Sequence, residues 1–263
     1  MGRLRDKVVL ITGASSGLGE QIAYESAKQD AVVAVSARRL DKLEIVRDRC
    51  AAYSGRRAAA YKLDVRSKTQ IQSVLDAVYD EFGQIDVLVN NAGFGCFEEA
   101  LHMDMDLAEE MFRVNVFGLM YMTQLVARKM AERKQGHIIN IASQGGKIAT
   151  PKSAVYSATK AAVIGYSNAL RLELKPQHIF VTTVNPGPIK TDFFAAADKT
   201  GDYLKNVGSV VLKPQTVAVQ VVEVMLTSRR EVNMPRIMEV GGRMYNLFPH
   251  LGDYLARTIF NKK

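Results

Sequence analysis

Six short runs of apolar and β-branched residues recur along the chain: KVVLIT at 7–12, AVVAVS at 31–36, AAYKLDV at 59–65, IDVLVN at 85–90, GHIINIA at 136–142 and IFVTTVN at 179–185. Each is apolar on both faces, the pattern of strands covered on both sides in a parallel sheet. Segments with a helical repeat of apolar positions separate them, at 17–29, 40–53, 67–82, 104–133 and 153–175, and another follows at 215–228. Strands alternating with helices predict an α/β fold: one doubly wound parallel sheet in three layers with right-handed crossovers. No linker, repeat or low-complexity tract interrupts the pattern, so residues 1–263 are expected to form a single domain.

Two stretches depart from the rhythm. Residues 190–214 carry Phe193, Phe194, Tyr203, Leu204 and two glycines without a clear strand, as a lid beside a strand end does. The tail at 243–263 places Leu247, Phe248, Leu251, Tyr254, Leu255 and Ile259 at roughly helical spacing and ends in basic residues. Three readings stay open for it: a cap on a pocket, a subunit interface, or contact with a membrane surface. Packing within an oligomer is the favoured one.

Composition narrows the function classes. A hydrophobic fraction of 48% with 24% charged residues is ordinary for a globular protein, so neither disorder nor a membrane bundle is expected. The apolar runs are too short to span a bilayer and the first residues lack a secretory signal, which predicts a cytoplasmic location. Cys50 and Cys96 form no CxxC, and with four scattered histidines no metal-ligand spacing arises, so no metal is expected. The net charge of +8 is spread along the chain without a helix-turn-helix, zinc-finger or RNP signature, which argues against nucleic acid.

The first strand runs into TGASSGLG and then a helix beginning near Leu18. Gly13, Gly17 and Gly19 permit a tight turn and close packing, and with Ser15, Ser16 and Leu18 they let backbone amides approach a pyrophosphate. A dinucleotide on a Rossmann-type sheet is therefore expected; the lysine of an NTP-binding loop is absent. About twenty residues on, Ala37 stands where an acid would bind ribose hydroxyls, and Arg38 and Arg39 follow it. Guanidinium groups attract a 2′-phosphate where a carboxylate would repel it, so NADP(H) is expected over NAD(H). The alternative is two surface arginines opening a helix. Asp64 and Val65 in LDV, and Asn91, Ala92 and Gly93 in NNAG, arrive at the same strand ends, where Asp64 is placed for an adenine amine and the NNAG backbone for a ribose.

Tyr156 and Lys160 in YSATK lie at i and i+4, on one face of a helix. Alone, that spacing reads as a solvated surface pair. The ordered set of TGASSGLG, NNAG, VNVFG with Asn115, the strand-end Ser143, YSATK and NPGPIKT resembles the short-chain dehydrogenase/reductase family in its short single-domain form, over about 7–241. The resemblance implies Tyr156 as acid/base, Lys160 as its tuner and a ribose ligand, Ser143 as the hydroxyl that orients a carbonyl, and Asn115 as the holder of a relay water. It assigns Pro186, Gly187, Ile189 and Thr191 to the nicotinamide carboxamide. The chemistry is consistent: a tyrosine ordinarily titrates near ~10, and a nearby ammonium favours the phenolate.

Phe94, Gln144–Gly146, Gly187, Phe193 and Phe194 are expected to bound the substrate, with Lys147 and Lys190 nearby in sequence. That set suggests a hydrophobic small-molecule ketone, aldehyde or alcohol. The resemblance also implies a homodimer or homotetramer paired through helices 104–133 and 153–175; Val163, Tyr166, Ala169 and Leu170 are a candidate face for it, or equally positions packed on the sheet. The rival function on the same fold is a dinucleotide-sensing or scaffold protein without turnover.

Overall fold

All six expected strands form in the computed structural model, which describes residues 2–197, 208, 211–250 and 252–254. They are β1 Val8–Thr12, β2 Val32–Ala37, β3 Ala58–Lys62, β4 Val87–Asn90, β5 Gly136–Ile141 and β6 Ile179–Pro186, and a seventh, β7 Glu231–Met234, joins them. The sheet is parallel throughout, in the order β3-β2-β1-β4-β5-β6-β7. The helices are α1 Gly17–Ala27, α2 Leu40–Ser54, α3 Lys68–Phe82, α4 Met105–Phe112, α5 Leu119–Arg133, α6 Ala154–Leu174, α7 Asp192–Ala197, α8 Pro214–Val224 and α9 Arg236–Leu247.

Strand alternation distributes the apolar side chains to two cores. Ile11, Val33 and Val35 face Ile22 of α1, Leu43 of α2 and Val217 and Val221 of α8. Leu10, Leu88 and Ile138 face Ile71 and Leu75 of α3, Met122 and Val126 of α5 and Leu170 of α6. This is the three-layer, Rossmann-type arrangement expected from the run pattern. The order reverses between β1 and β4, and the crevice beyond their carboxyl ends is where such sheets bind ligands.

The structure corrects several expectations. The helix expected over 104–133 is broken by a π-helical segment, Arg113–Gly118, because the amide of Asn115 turns to the backbone of Phe94 in the next layer. β7 escaped notice because only Val232 in EVNM is buried, so no apolar run marks it. The helix expected at 215–228 ends at Val224. Helix α9 was hidden in a stretch whose apolar face stays exposed: Ile237 and Leu247 are each 70% exposed.

Within 190–214 the described part contains α7 and a parallel bridge between Ile189 and Leu212; Tyr203 and Leu204 lie outside the described residues. The same holds for Leu251, Leu255 and Ile259 of the tail. Of the two readings of the α6 positions, inward packing holds for three of the four. Val163 and Leu170 are buried and Tyr166 packs with them, since they fill the space between α6 and its own neighbours. The outward positions of α6 are Ala154, Ala158, Ala161, Gly165, Ala169, Leu172 and Glu173. Among the described residues no helix is long and apolar enough to cross a membrane, and no cluster of metal-ligating side chains occurs.

Candidate active site

A cleft of about 1060 Å³ opens along the carboxyl ends of the strands, from Arg38 and Arg39 at one end to Tyr156 and the face of α9 at the other. Its floor begins at the glycine-rich turn. Gly13 and Gly17 have φ of 66° and 65°, conformations that disfavour any side chain. At Gly13 a Cβ would also lie 2.7 Å from Ala92 Cα, and at Gly19 one would lie 2.5 Å from Gly13 O. The turn thus packs directly on NNAG and leaves Ser15, Ser16 and Leu18 lining the cleft.

Thr12 and Asn91 fasten these two loops. Thr12 Oγ1 accepts from the backbone N–H of Asn91 and of Ala92, each at 3.0 Å, and Asn91 Nδ2 donates to the carbonyls of Thr12 and Gly13 at 3.0 Å. Thr12 was overlooked as a site residue because its side chain faces the protein; its place opening the motif was the available signal. Ala92 and Gly93 then border the cleft with their backbone.

At the far end Arg39 donates to Ser15 Oγ at 3.0 Å and to Ser16 Oγ at 2.8 Å. Arg38 is exposed beside it, and its charge helps hold the Asp64 carboxyl below the usual range. The larger cause of that lowering is Arg66, whose guanidinium grips both Asp64 oxygens and reaches Glu110 of α4. Asp64 and Val65 line the cleft as expected, and Arg66 is a neighbour the sequence did not single out.

Ser143 follows β5 and opens a single 3₁₀ turn, Gln144–Gly146. Its Oγ accepts from Gly145 N–H at 3.0 Å, while its own donor reaches Pro186 O only at 3.5 Å, the limit of a hydrogen bond. That proton is easily re-aimed. Tyr156, in the first turn of α6, lies against the same turn: a Cβ at Gly145 would stand 3.4 Å from Ser143 Oγ and 3.6 Å from Tyr156 Cε1.

Lys160 sits one helical turn on, with Nζ 5.8 Å from the Tyr156 ring centroid and donating to Ile141 O at 3.0 Å. Burial pulls its pKa down to about 8. Gly93 faces the same spot, where a Cβ would approach Asn115 Oδ1 at 3.0 Å and Lys160 Nζ at 3.6 Å. The amide of Asn115 is spent on the protein: Oδ1 accepts from Phe94 N–H, and Nδ2 donates to Phe94 O and Thr159 Oγ1. Its side chain holds the loop that follows NNAG to α6.

Pro186, Gly187, Ile189 and Thr191 complete the wall beyond β6. Gly187 packs closely on α9: a Cβ there would stand 2.7 Å from Met238 Sδ and 3.1 Å from Pro235 Cδ. Beneath Ser143, Gln144 Nε2 donates to Asn185 O, and Asn185 Nδ2 donates to Asn233 Oδ1, which also accepts from Lys147. Lys147 therefore pairs with Glu231 and points away from the cleft. Lys190 does not border it either.

Around Tyr156 the lining is mostly apolar, with Phe94, Cys96 and Phe97 after NNAG, Ile148, Phe193 and Phe194 of α7, and Met238, Met244 and Phe248 in and after α9; Thr150, Ser153, Asp192 and Tyr245 are the polar members of the same segments. The expected Gln144, Gly145 and Gly187 are present too, whereas Gly146 packs behind them. The residues of α9 were missed as lining because their approach depends on where β7 delivers the helix. Phe248 therefore sides with the pocket-capping reading of the tail.

The turn geometry and the open run from Arg39 to Lys160 fit a dinucleotide phosphate. Comparison with known proteins agrees: the family profile described as short chain dehydrogenase matches residues 7–202. An uncharacterized oxidoreductase of Staphylococcus saprophyticus is 37% identical over 194 residues, covering 73% of this chain and 78% of the relative. The human dehydrogenase/reductase SDR family member 7 is 35% identical over 210 residues, covering 78% of this chain but 62% of the relative. Among solved structures, a variant of actinorhodin polyketide ketoreductase with NADPH superposes with a TM-score of 0.81 at 30% identity, covering 89% of this chain and 97% of that one.

Proposed function

The chain belongs to the short-chain dehydrogenase family, and within it we propose an NADP(H)-dependent oxidoreductase that interconverts an apolar carbonyl compound and its alcohol. One observation carries this reading: Ser143 Oγ and the edge of the Tyr156 ring converge at Gly145, with the buried Lys160 ammonium behind the ring. A substrate oxygen seated there receives a hydrogen bond from Ser143 and a proton from the Tyr156 hydroxyl. Lys160 stabilises the phenolate left behind, and its two remaining N–H donors are free for ribose hydroxyls. Asn115 fixes the loop bearing Gly93 and Gly95, and in this reading it helps order the proton path. Bound in the cleft, the nicotinamide supplies the hydride chemistry.

Selection of NADP(H) is supported by Arg38 and Arg39 together with the two serine hydroxyls under Arg39. The apolar lining around Tyr156 supports a neutral hydrophobic substrate. A homo-oligomer pairing through the π-helical segment, where Phe117 is 61% exposed, and the outward face of α6, where Leu172 is 71% exposed, completes the reading.

The test is NADPH and NADH affinity by fluorescence transfer, followed by a carbonyl panel monitored for NADPH loss. Tight NADPH-selective binding and turnover that vanishes in Tyr156→Phe are expected. Turnover retained in that variant would remove the acid/base assignment, and selective binding without any turnover would favour a sensor on the same fold.

A further inference from the structure

The Tyr156 ring is bordered by two glycines, one at each edge. A Cβ at Gly145 would stand 3.6 Å from Cε1, and a Cβ at Gly95 would stand 3.0 Å from Cδ2 and 3.3 Å from Cε2. The two sides are furnished differently. At Gly95 the tip of Phe193 takes the place of a side chain, since a Cβ there would lie 2.8 Å from Phe193 Cζ. Phe193 packs on Tyr156 with centroids 5.6 Å apart and on Phe194 at 5.2 Å. Phe97 closes the circuit, 5.9 Å from both Tyr156 and Phe194. A backbone bond from Phe97 N–H to Ala197 O at 2.9 Å ties α7 to this loop. The Gly95 side is therefore a filled aromatic wall.

The Gly145 side is looser: a Cβ there would meet its nearest neighbours, Ser143 Oγ, Tyr156 Cε1 and Ser157 Oγ, only at ordinary contact distances of 3.4–3.7 Å. Its loop continues to Ile148, against which α9 rests through Gly242, and the cleft there is lined by Met238, Met244 and Phe248. Unbranched methionines adapt to varied shapes, whereas a ring packed on two others, which are themselves tied together by Phe97, resists displacement.

We propose that Phe193, seated by the missing side chain at Gly95, is the residue that limits one substituent of the substrate carbonyl. This rests on the reductase reading above. With the oxygen held by Ser143 and Tyr156, the two substituents point to opposite sides of the ring. The aromatic side accepts hydrogen or methyl, and the methionine side takes the large apolar group. Fixing which substituent lies where fixes which face of the carbonyl is presented, so the substrates are aldehydes and unsymmetrical apolar ketones, and the alcohol forms with one hand.

The experiment compares wild type with Phe193→Ala, and with Phe193→Leu as a variant that keeps the wall apolar. Acetophenone and isobutyrophenone are the probes, which share a phenyl group and differ in the small substituent. Their affinities for the NADP⁺-loaded protein are measured by calorimetry, and kcat/KM and product chirality are measured with NADPH. Wild type is expected to prefer acetophenone by at least about tenfold, in the range a few methylenes decide in a pocket. Phe193→Ala should cut that ratio to about twofold and erode the enantiomeric excess, with Phe193→Leu in between.

An unchanged ratio and unchanged chirality in Phe193→Ala would overturn the proposal, as would a wild type that does not discriminate. Discrimination in binding that relaxes in the variant, without turnover of either ketone, would support the size limit while removing the reductase reading. Turnover without discrimination would do the reverse.

Discussion

Lys160 holds its Nζ 5.8 Å from the centre of the Tyr156 ring while donating to the Ile141 carbonyl at 3.0 Å, so the cation is pinned beneath the phenol by the end of β5. Burial lowers its pKa to about 8. The ammonium is therefore complete below that pH and lost above it. Carbonyl reduction needs the charge to stabilise the phenolate, so kcat/KM with NADPH should fall as pH rises through about 8. A pH–rate profile that stays level to pH 10 would contradict this.

The same burial costs stability. The folded pKa of about 8 lies below the ordinary 10.5, so the unfolded chain binds more protons between these values and stability rises with pH across that window. The penalty is present in full below about 8, at roughly 3 kcal/mol for a shift of this size. Lys160→Met removes it but takes the Lys160 donor from the buried Ile141 carbonyl, a cost of about 1–3 kcal/mol that offsets part of the gain. Without cofactor at pH 7 the variant should melt modestly higher than wild type and show no turnover. An unchanged or lower Tm would mean that the lysine is better solvated than its burial suggests.

How far such relationships are legible without coordinates depends on where a residue's partners lie. β1 and TGASSGLG are contiguous, so the turn and its glycines could be read directly, as could the helical register that puts Tyr156 and Lys160 on one face. Asn115 was visible as a motif, but its π-helical kink comes from bonds to Phe94, 21 residues away. Arg66 over Asp64, Thr12 under NNAG and Phe193 over Gly95 likewise arise from loops converging at strand ends. β7 failed for a different reason: an edge strand with one buried side chain carries almost no hydrophobic period.

The arginines give a prediction about cofactor choice. Arg39 already spans the hydroxyls of Ser15 and Ser16, so its guanidinium is held at the rim of the glycine-rich turn. Arg39→Ala and Arg38→Ala should each weaken NADPH by about tenfold or more, the scale of one charge-assisted hydrogen bond, and change NADH by less than about twofold. Titration of both cofactors against each variant decides it. Equal loss for the two would place the arginines away from the 2′-phosphate.

His137 on β5 is fully buried, and its neutral form is built into the fold. Nδ1 accepts from Leu226 N–H at 2.8 Å, Nε2 lies 2.8 Å from Thr182 Oγ1, and Thr182 donates to Arg229 O. The ring thereby clasps the turn after α8 to the sheet. Burial pushes its pKa down to about 3. The unfolded chain binds the extra proton once pH drops below about 6.5, so this contribution is full above that pH and is lost progressively toward about 3. Denaturant unfolding between pH 7 and pH 4 should show a decline that is flattened in His137→Gln. Parallel declines in both proteins would assign the acid sensitivity elsewhere.

Asn115 makes the sharpest separation between holding and reacting. Its amide satisfies both backbone groups of Phe94 and reaches Thr159, all within the protein. Asn115→Ala would leave the part-buried N–H and carbonyl of Phe94 without these partners, a cost of at most about 1–3 kcal/mol each and less where water from the cleft replaces them. The loop carrying Gly93 and Gly95 should loosen, and amide exchange at Phe94 should speed up by at least about tenfold. Turnover should fall with it, through kcat more than KM for the cofactor. If exchange at Phe94 is unchanged while kcat still collapses, Asn115 acts on the proton path rather than on the loop.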